Sequence, residues 1–222
     1  RARYLRITDR EELRSETWEV VCDKTLLGGA VNKTRYVKWH PWDYTDDEVV
    51  VMIDGSIGVN GPLDEVIDAF QGHDLCMMIH PERNTVKEEM EAWMQWRGLE
   101  PNDAERQMSL MEMTGYSLNS YRGLYQGCFR IMRHTQLVRM WLETVAGLLI
   151  LSGKRGEFAT PEQVLASFAL NKYFSMIPVM WVSERIIDSK YMSWYFHNSD
   201  VKFTHKELIT PYAFNMVAKV WM

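Results

Sequence analysis

The chain of 222 residues has no Cys-x-x-Cys pair, no basic charge excess and no apolar run able to cross a bilayer, and each lack removes a class of protein. Its longest apolar stretch, "LVRMWLETVAGLLILSG", is interrupted by Arg139 and Glu143. It falls short of the roughly 20 residues of a membrane helix, so no span is expected. The opening "RARYLRITDREEL" flanks a short apolar segment with charge and lacks the apolar core of a signal peptide. The three cysteines, Cys22, Cys76 and Cys128, are odd in number and far apart, which argues against a disulfide framework. They read as buried free thiols of a reducing, cytoplasmic compartment, with metal binding as the second choice. A net charge of −5 leaves no overall electrostatic footprint for nucleic acid, although a local basic patch is compatible with it. No repeat or low-complexity segment interrupts the chain.

What is present is an ordinary globular composition, 46% hydrophobic and 25% charged, in a length sufficient for one well-filled core. No linker divides it, so residues 1–222 are expected to form a single domain. The runs "RYLRIT", "WEVVC", "EVVVMID", "DLCMMIH" and "GCFRIMR" are short and apolar between polar boundaries, and read as strands. Several are apolar at consecutive positions, as strands of a mostly parallel sheet covered on both faces would be. Helical periodicity falls at 62–70, 84–97, 102–114, 135–151, 160–173 and 205–220, the last within a C-terminal helical extension over 200–222. Pro62 with Asp64 and Glu65, and Thr160 followed by Pro161 and Gln163, are helix-start signals. Strands alternating with helices imply an α/β sheet with right-handed crossovers and helices on both faces.

In such a sheet, ligands sit beyond the carboxyl ends of the strands. The run "VVVMID" ends there on Asp54, followed by Gly55 and Ser56. A carboxylate at that point can hold a divalent cation or ligand hydroxyls, and the small residues let a phosphate or sugar approach the backbone. The same residues also make an ordinary strand-to-loop turn. In "NKTRYVKWHPW", Arg35 and Lys38 stand three apart, a spacing that suits a diphosphate or a solvated basic face. His80 and Arg83 follow the fourth strand; His80 is a ligand, a base or a hydrogen-bonded structural residue, and Glu88 and Glu89 are expected to face solvent. Glu162 lies in a first helical turn, where the helix dipole favours a carboxylate and where it can also act as base or nucleophile. His197, close to Asp200, is a possible metal ligand. Trp93 and Trp96, and Trp194 with Tyr195, are candidates for stacking on sugar or base rings, although the one-face spacing of the first pair favours the core.

Seven stretches in one order carry a resemblance: "RITDREE", "TWEVV", "TRYVKWHP", "MIDGSIGV", "HPERNTVKEE", "GLYQGCFRIMRHT" and "TPEQVLASFALNK". Over residues 4–200 the chain resembles a glycosyltransferase-like family whose named members are plant proteins linked to turgor regulation and seed mucilage. The resemblance implies a GT-A-like, Rossmann-type fold and transfer of a sugar from a nucleotide-sugar to an acceptor hydroxyl, on a glycan or another molecule. It implies that Thr8 and Asp9 help hold the nucleotide, and that Arg35 and Lys38 lie near its diphosphate. Asp54 and Ser56 take the place of a metal-binding Asp-x-Asp motif for manganese or magnesium, with His197 as a late metal ligand. Glu162 lies beneath the reacting sugar, and His80, Arg83 and Gln163 face the acceptor side. Two departures stand out. Ser56 replaces the second carboxylate of the motif, which leaves Arg35 and Lys38 to substitute for a metal. Pro161, Glu162 and Gln163 stand where the family reads Arg-Asp-Gln, and the family's opening strand is expected before residue 1. Two other readings follow from the same residues: the same chemistry on a hydroxymethylated base in DNA, and a catalytically silent module that binds a glycan or nucleotide.

Overall fold

A computed structural model describes residues 2–8, 11, 14, 16, 19–24, 36–54, 57–59, 63–80, 82–97, 105, 108–109, 111–119, 124–154, 162–183, 192–194 and 214–219. The strands are β1 (Ala2–Thr8), β2 (Glu19–Cys22), β3 (Val49–Ile53), β4 (Ile57–Val59), β5 (Leu75–Ile79), β6 (Tyr125–Arg133), β7 (Val179–Val182), β8 (Met192–Trp194) and β9 (Phe214–Lys219). The helices are α1 (Asp64–Ala69), α2 (Val86–Arg97), α3 (Gln136–Lys154) and α4 (Glu162–Tyr173), with a further helical turn over 36–39, a 3-10 turn at Pro41–Asp43, and helical residues at 105, 108–109 and 111–112 within the segment 102–114 expected to be a helix. The protein is therefore a mixed α/β fold. All five expected strands form, and the periodic segments 62–70, 84–97, 135–151 and 160–173 correspond to α1 to α4 within a few residues at each end. The start signals Pro62, Thr160 and Pro161 lie outside the described residues.

The main sheet has the order β2-β1-β9-β3-β6-β5-β7, and β4 pairs with β8 in a small second sheet. Pairing is parallel for β1 with β2 and for β5 with β7, and antiparallel elsewhere in the main sheet. The expectation of a mostly parallel sheet is thus corrected to a mixed one. Continuous apolar runs report that both faces are covered, and they carry no information on strand direction. Even so, β2, β1, β3, β5 and β7 all run one way and only β9 and β6 run against them, so five carboxyl ends share one edge.

Both faces are indeed covered. Val50 and Met52 of β3 point into a core with α2, α3 and α4, around Met90, Trp141 and Phe168. Val49, Val51 and Ile53 point the other way, against Leu63, Val66, Ile67 and Phe70 at α1. That alternation follows from the two-residue side-chain period of a strand. Two adjacent residues of β6, Cys128 and Phe129, nevertheless pack into the same core, and the pairing of β5 with β6 shifts between Met77 and Met78. This is a bulge, which turns Gly127 towards the opposite face, that of α4.

The second correction concerns the C-terminus. The expected helix over 205–220 is, at Phe214–Lys219, a strand lying antiparallel to both β1 and β3, and residues 205–213 and 220 lie outside the described ones. A helix there would leave the facing N–H and C=O rows of β1 and β3 without partners. The third concerns Cys22, which is exposed where burial was expected, while Cys76 and Cys128 are buried. Cys22 ends β2, the outermost strand of the sheet. Burial pushes the Cys76 thiol up to about 12, and burial followed by nearby Asp54 pushes Cys128 up as well, so neither is a reactive thiolate. No described helix is long and apolar enough to cross a membrane.

Candidate functional site

The shared carboxyl edge brings together residues from distant parts of the chain. Asp54 follows β3 directly, and its backbone N–H donates 2.9 Å to the Cys128 carbonyl, which anchors the strand end to the bulge of β6. Lys38 comes from the helical turn over 36–39, whose neighbours Val37 and Trp39 are buried. Its ammonium lies 3.2 Å from Asp54 Oδ1 and donates to Glu162 Oε1 in the first turn of α4. One nitrogen thus bridges two carboxylates. The Lys38 side chain is only 5% exposed, whereas Asp54 is 31% and Glu162 18% exposed, so the cation forms the floor and the carboxylates reach the surface.

Burial alone would lower the Lys38 pKa, but Asp54 and then Glu162 reverse this and hold it above the ordinary lysine value. Lys38 is therefore a fixed cation, which excludes it as an amine nucleophile. Burial raises the Asp54 carboxyl, Lys38 opposes the rise, and Glu162 adds to it. The solvated basic face considered for Lys38 is not what forms. Arg35 lies outside the described residues.

Two residues that the sequence reading passed over complete the floor. A methyl group on Gly127 would stand 3.2 Å from Glu162 Oε1 and 3.3 Å from Lys38 Nζ, so the ion pair packs on bare backbone. Arg130, fully buried in β6, donates from Nη2 to the Lys38 carbonyl and lies 4.3 Å from the Trp39 ring centre. It ties the helical turn to the sheet. A single arginine inside the apolar run "GCFRIM" was a legible signal, because Arg is almost never fully buried without a purpose.

A second cluster adjoins the first. His80 follows β5, and its Nδ1 accepts from the backbone N–H groups of Glu82 and Arg83, both at 3.1 Å. Arg83 pairs with Glu89 of α2, and Glu89 is 4% exposed although solvent was expected for it. Gln163 accepts from the Gly127 N–H at 3.4 Å and donates to Glu89. The burial of Glu89 follows from helix geometry, because it lies on the face shared by Val86, Met90 and Trp93, and that face packs inward. Glu88 does face solvent and caps α2, accepting 2.7 Å from Asn84 N–H while Thr85 Oγ1 accepts from Glu88 N–H.

Burial lowers the His80 pKa, Glu89 opposes this, and Arg83 reinforces it. A group whose pKa falls on folding costs stability as pH falls through the ordinary histidine range, because the unfolded chain takes up the proton first. Unfolding by urea should therefore need less denaturant at about pH 5 than at about pH 7. His80→Asn supplies an oxygen for the two N–H bonds and does not titrate, so its midpoint should fall less. An equal fall in both proteins would remove His80 as the cause.

The remaining expected residues divide by what the structure describes. Thr8 ends β1 on the shared edge. Asp9, Ser56, His197, Tyr195 and the side chains of Trp96 and Trp194 lie outside the described residues, and Trp93 is half-buried on α2. Among the described residues no group of three or more His, Cys, Asp or Glu could hold a metal ion. Asp54, the described member of the expected metal set, already faces the Lys38 ammonium. These donors alone do not fit a divalent cation. Compared with protein-family models, curated proteins and solved structures, the chain has no match in any of the three.

Proposed function

We propose that the protein is a nucleotide-sugar-dependent glycosyltransferase of the GT-A kind, acting on an acceptor hydroxyl at the carboxyl edge of the main sheet. The observation that carries the reading is the bridge from Lys38 to Asp54 and Glu162, with both carboxylates reaching solvent above a buried cation. In the proposed reaction the acceptor oxygen forms a bond to the anomeric carbon while the bond from that carbon to the diphosphate breaks. The electron pair leaves with the nucleoside diphosphate, and the acceptor proton passes to Glu162. Asp54 orients the donor, and the reading gives Thr8, Asp9 and Ser56 the task of binding the nucleotide. His80 and Arg83 bound the acceptor side.

Charge growing on the departing diphosphate needs fixed cations close by. Lys38, with Arg35, supplies them in this reading.

The test is a thermal-shift and hydrolysis screen of the chain against UDP-, GDP- and dTDP-sugars, each with manganese and with EDTA. Stabilisation by one donor with slow release of its nucleoside diphosphate supports the transferase. Release that persists in EDTA assigns the countercharge to Lys38, and release only with manganese assigns Asp54 to a metal. Binding without release supports the silent module instead. Asp54→Ala leaves Lys38 paired with Glu162, so it should keep the fold and lose the donor-induced shift. An unchanged shift would take Asp54 out of the site.

A further inference from the structure

We infer that Glu89 is a positioning residue that sets the direction of Glu162 through Gln163, an inference that rests on the transferase reading. The connection runs through groups whose donor and acceptor roles are forced. Glu89 is buried and, with Arg83 donating to its Oε2, its Oε1 accepts from the Gln163 amide N–H. The Gly127 N–H can only donate, and it donates to Gln163 Oε1. Turning the Gln163 amide over would set its NH2 against Gly127 N–H and its oxygen against the Glu89 carboxylate. The amide therefore has one allowed orientation.

Gln163 and Glu162 are successive residues in the first turn of α4. Holding Gln163 between α2 and the bulge of β6 fixes the rotation and height of that turn. Glu162 Oε1 is thereby set against Lys38, beside the same Gly127. The sequence supplies acid after acid in "KEEMEAW", but only Glu89 of these reaches this contact.

The chemistry of the chain yields a reciprocal test. In Glu89→Gln one of the two accepting oxygens becomes an NH2, so with the amide oxygen kept on Arg83 that NH2 faces the Gln163 NH2, and Gln163 turns and loses Gly127. Gln163→Glu sets two carboxylates together. In the double variant Glu89→Gln/Gln163→Glu every donor again has an acceptor. The amide now at position 89 accepts from Arg83 and donates to the carboxylate now at position 163, which accepts from Gly127.

The first readout is independent of catalysis. In protein labelled with 15N-lysine, the buried Lys38 ammonium should give a protected resonance, assigned with Lys38→Arg. Glu89→Gln should shift or lose it, and the double variant should restore it. The second readout is nucleoside diphosphate release from the donor panel. Glu89→Gln should lower kcat about 100-fold, the cost of a small misplacement, with KM within about twofold, and the double variant should recover most of kcat.

An unmoved Lys38 resonance in Glu89→Gln overturns the inference whatever the activity. A resonance that is lost and then restored, in a chain that releases no diphosphate from any donor, upholds the positioning of Glu162 and discards the transferase reading. Should Glu89→Gln fail to fold, Gln163→Ala severs the same link while leaving Glu89 with Arg83. A native Lys38 resonance there is equally fatal to the inference.

Discussion

Replacing Lys38 by methionine should destabilise the protein by about 3–5 kcal/mol, the cost of breaking a buried ion pair from one side, and should abolish donor hydrolysis. The ammonium is 5% exposed and is shared by Asp54 and Glu162, so its removal takes away the cation that both carboxylates share. Arg130 cannot take its place, because its guanidinium is held under Trp39 by the Lys38 carbonyl and by stacking.

The loss should depend on pH in a defined direction. Burial already raises the Asp54 carboxyl, and removing its cation raises it further. A carboxyl whose pKa is raised on folding contributes stability at low pH and loses it as pH rises through the folded value. The penalty of Lys38→Met should accordingly be largest near neutrality and shrink towards about pH 4. The triple variant Lys38→Met/Asp54→Asn/Glu162→Gln removes all three charges and should recover much of the stability but none of the turnover. Urea titrations at both pH values measure this. A single variant as stable as the parent at neutral pH would mean that Lys38 is not the clamp described.

The second large effect is expected from Glu162→Gln, which should lower turnover by about 100- to 10,000-fold, the range for loss of a general base. Donor affinity should hold within about twofold. The glutamine oxygen can still accept from the Lys38 ammonium, so the fold and the floor of the site should survive. Release of nucleoside diphosphate under donor saturation, set beside the donor-induced thermal shift, separates the two effects. Full activity would leave Glu162 with the helix dipole and its bond to Lys38 as its whole role.

Both effects depend on residues that the sequence marks individually without showing that they meet. Asp54 is conspicuous because an apolar strand ends on it, and Glu162 because it opens a helix. Lys38 is ambiguous in sequence, since a lysine beside aromatic residues suits a surface as well as a floor. Glu89 reads as solvated within a run of acids until the inward face of α2 is counted out, and Gly127 has no side chain to attract notice. The 205–220 segment misleads for a related reason, because "FNMVAK" satisfies helical and strand periods almost equally over so short a length. The gap between β1 and β3 decides between them.

What the sequence determined by itself is local: five strands from short apolar runs, four helices from periodicity, and helices on both faces from continuous apolarity. Each depends on neighbours a few residues away, over which side-chain period and backbone preference act directly. The tertiary structure alone decided the mixed strand directions, the place of β9, the bulge of β6 and the meeting of Lys38, Asp54 and Glu162. Those depend on backbone pairing and charge contacts between segments far apart in the chain, and no local pattern encodes which partner a strand edge or a buried ammonium will find.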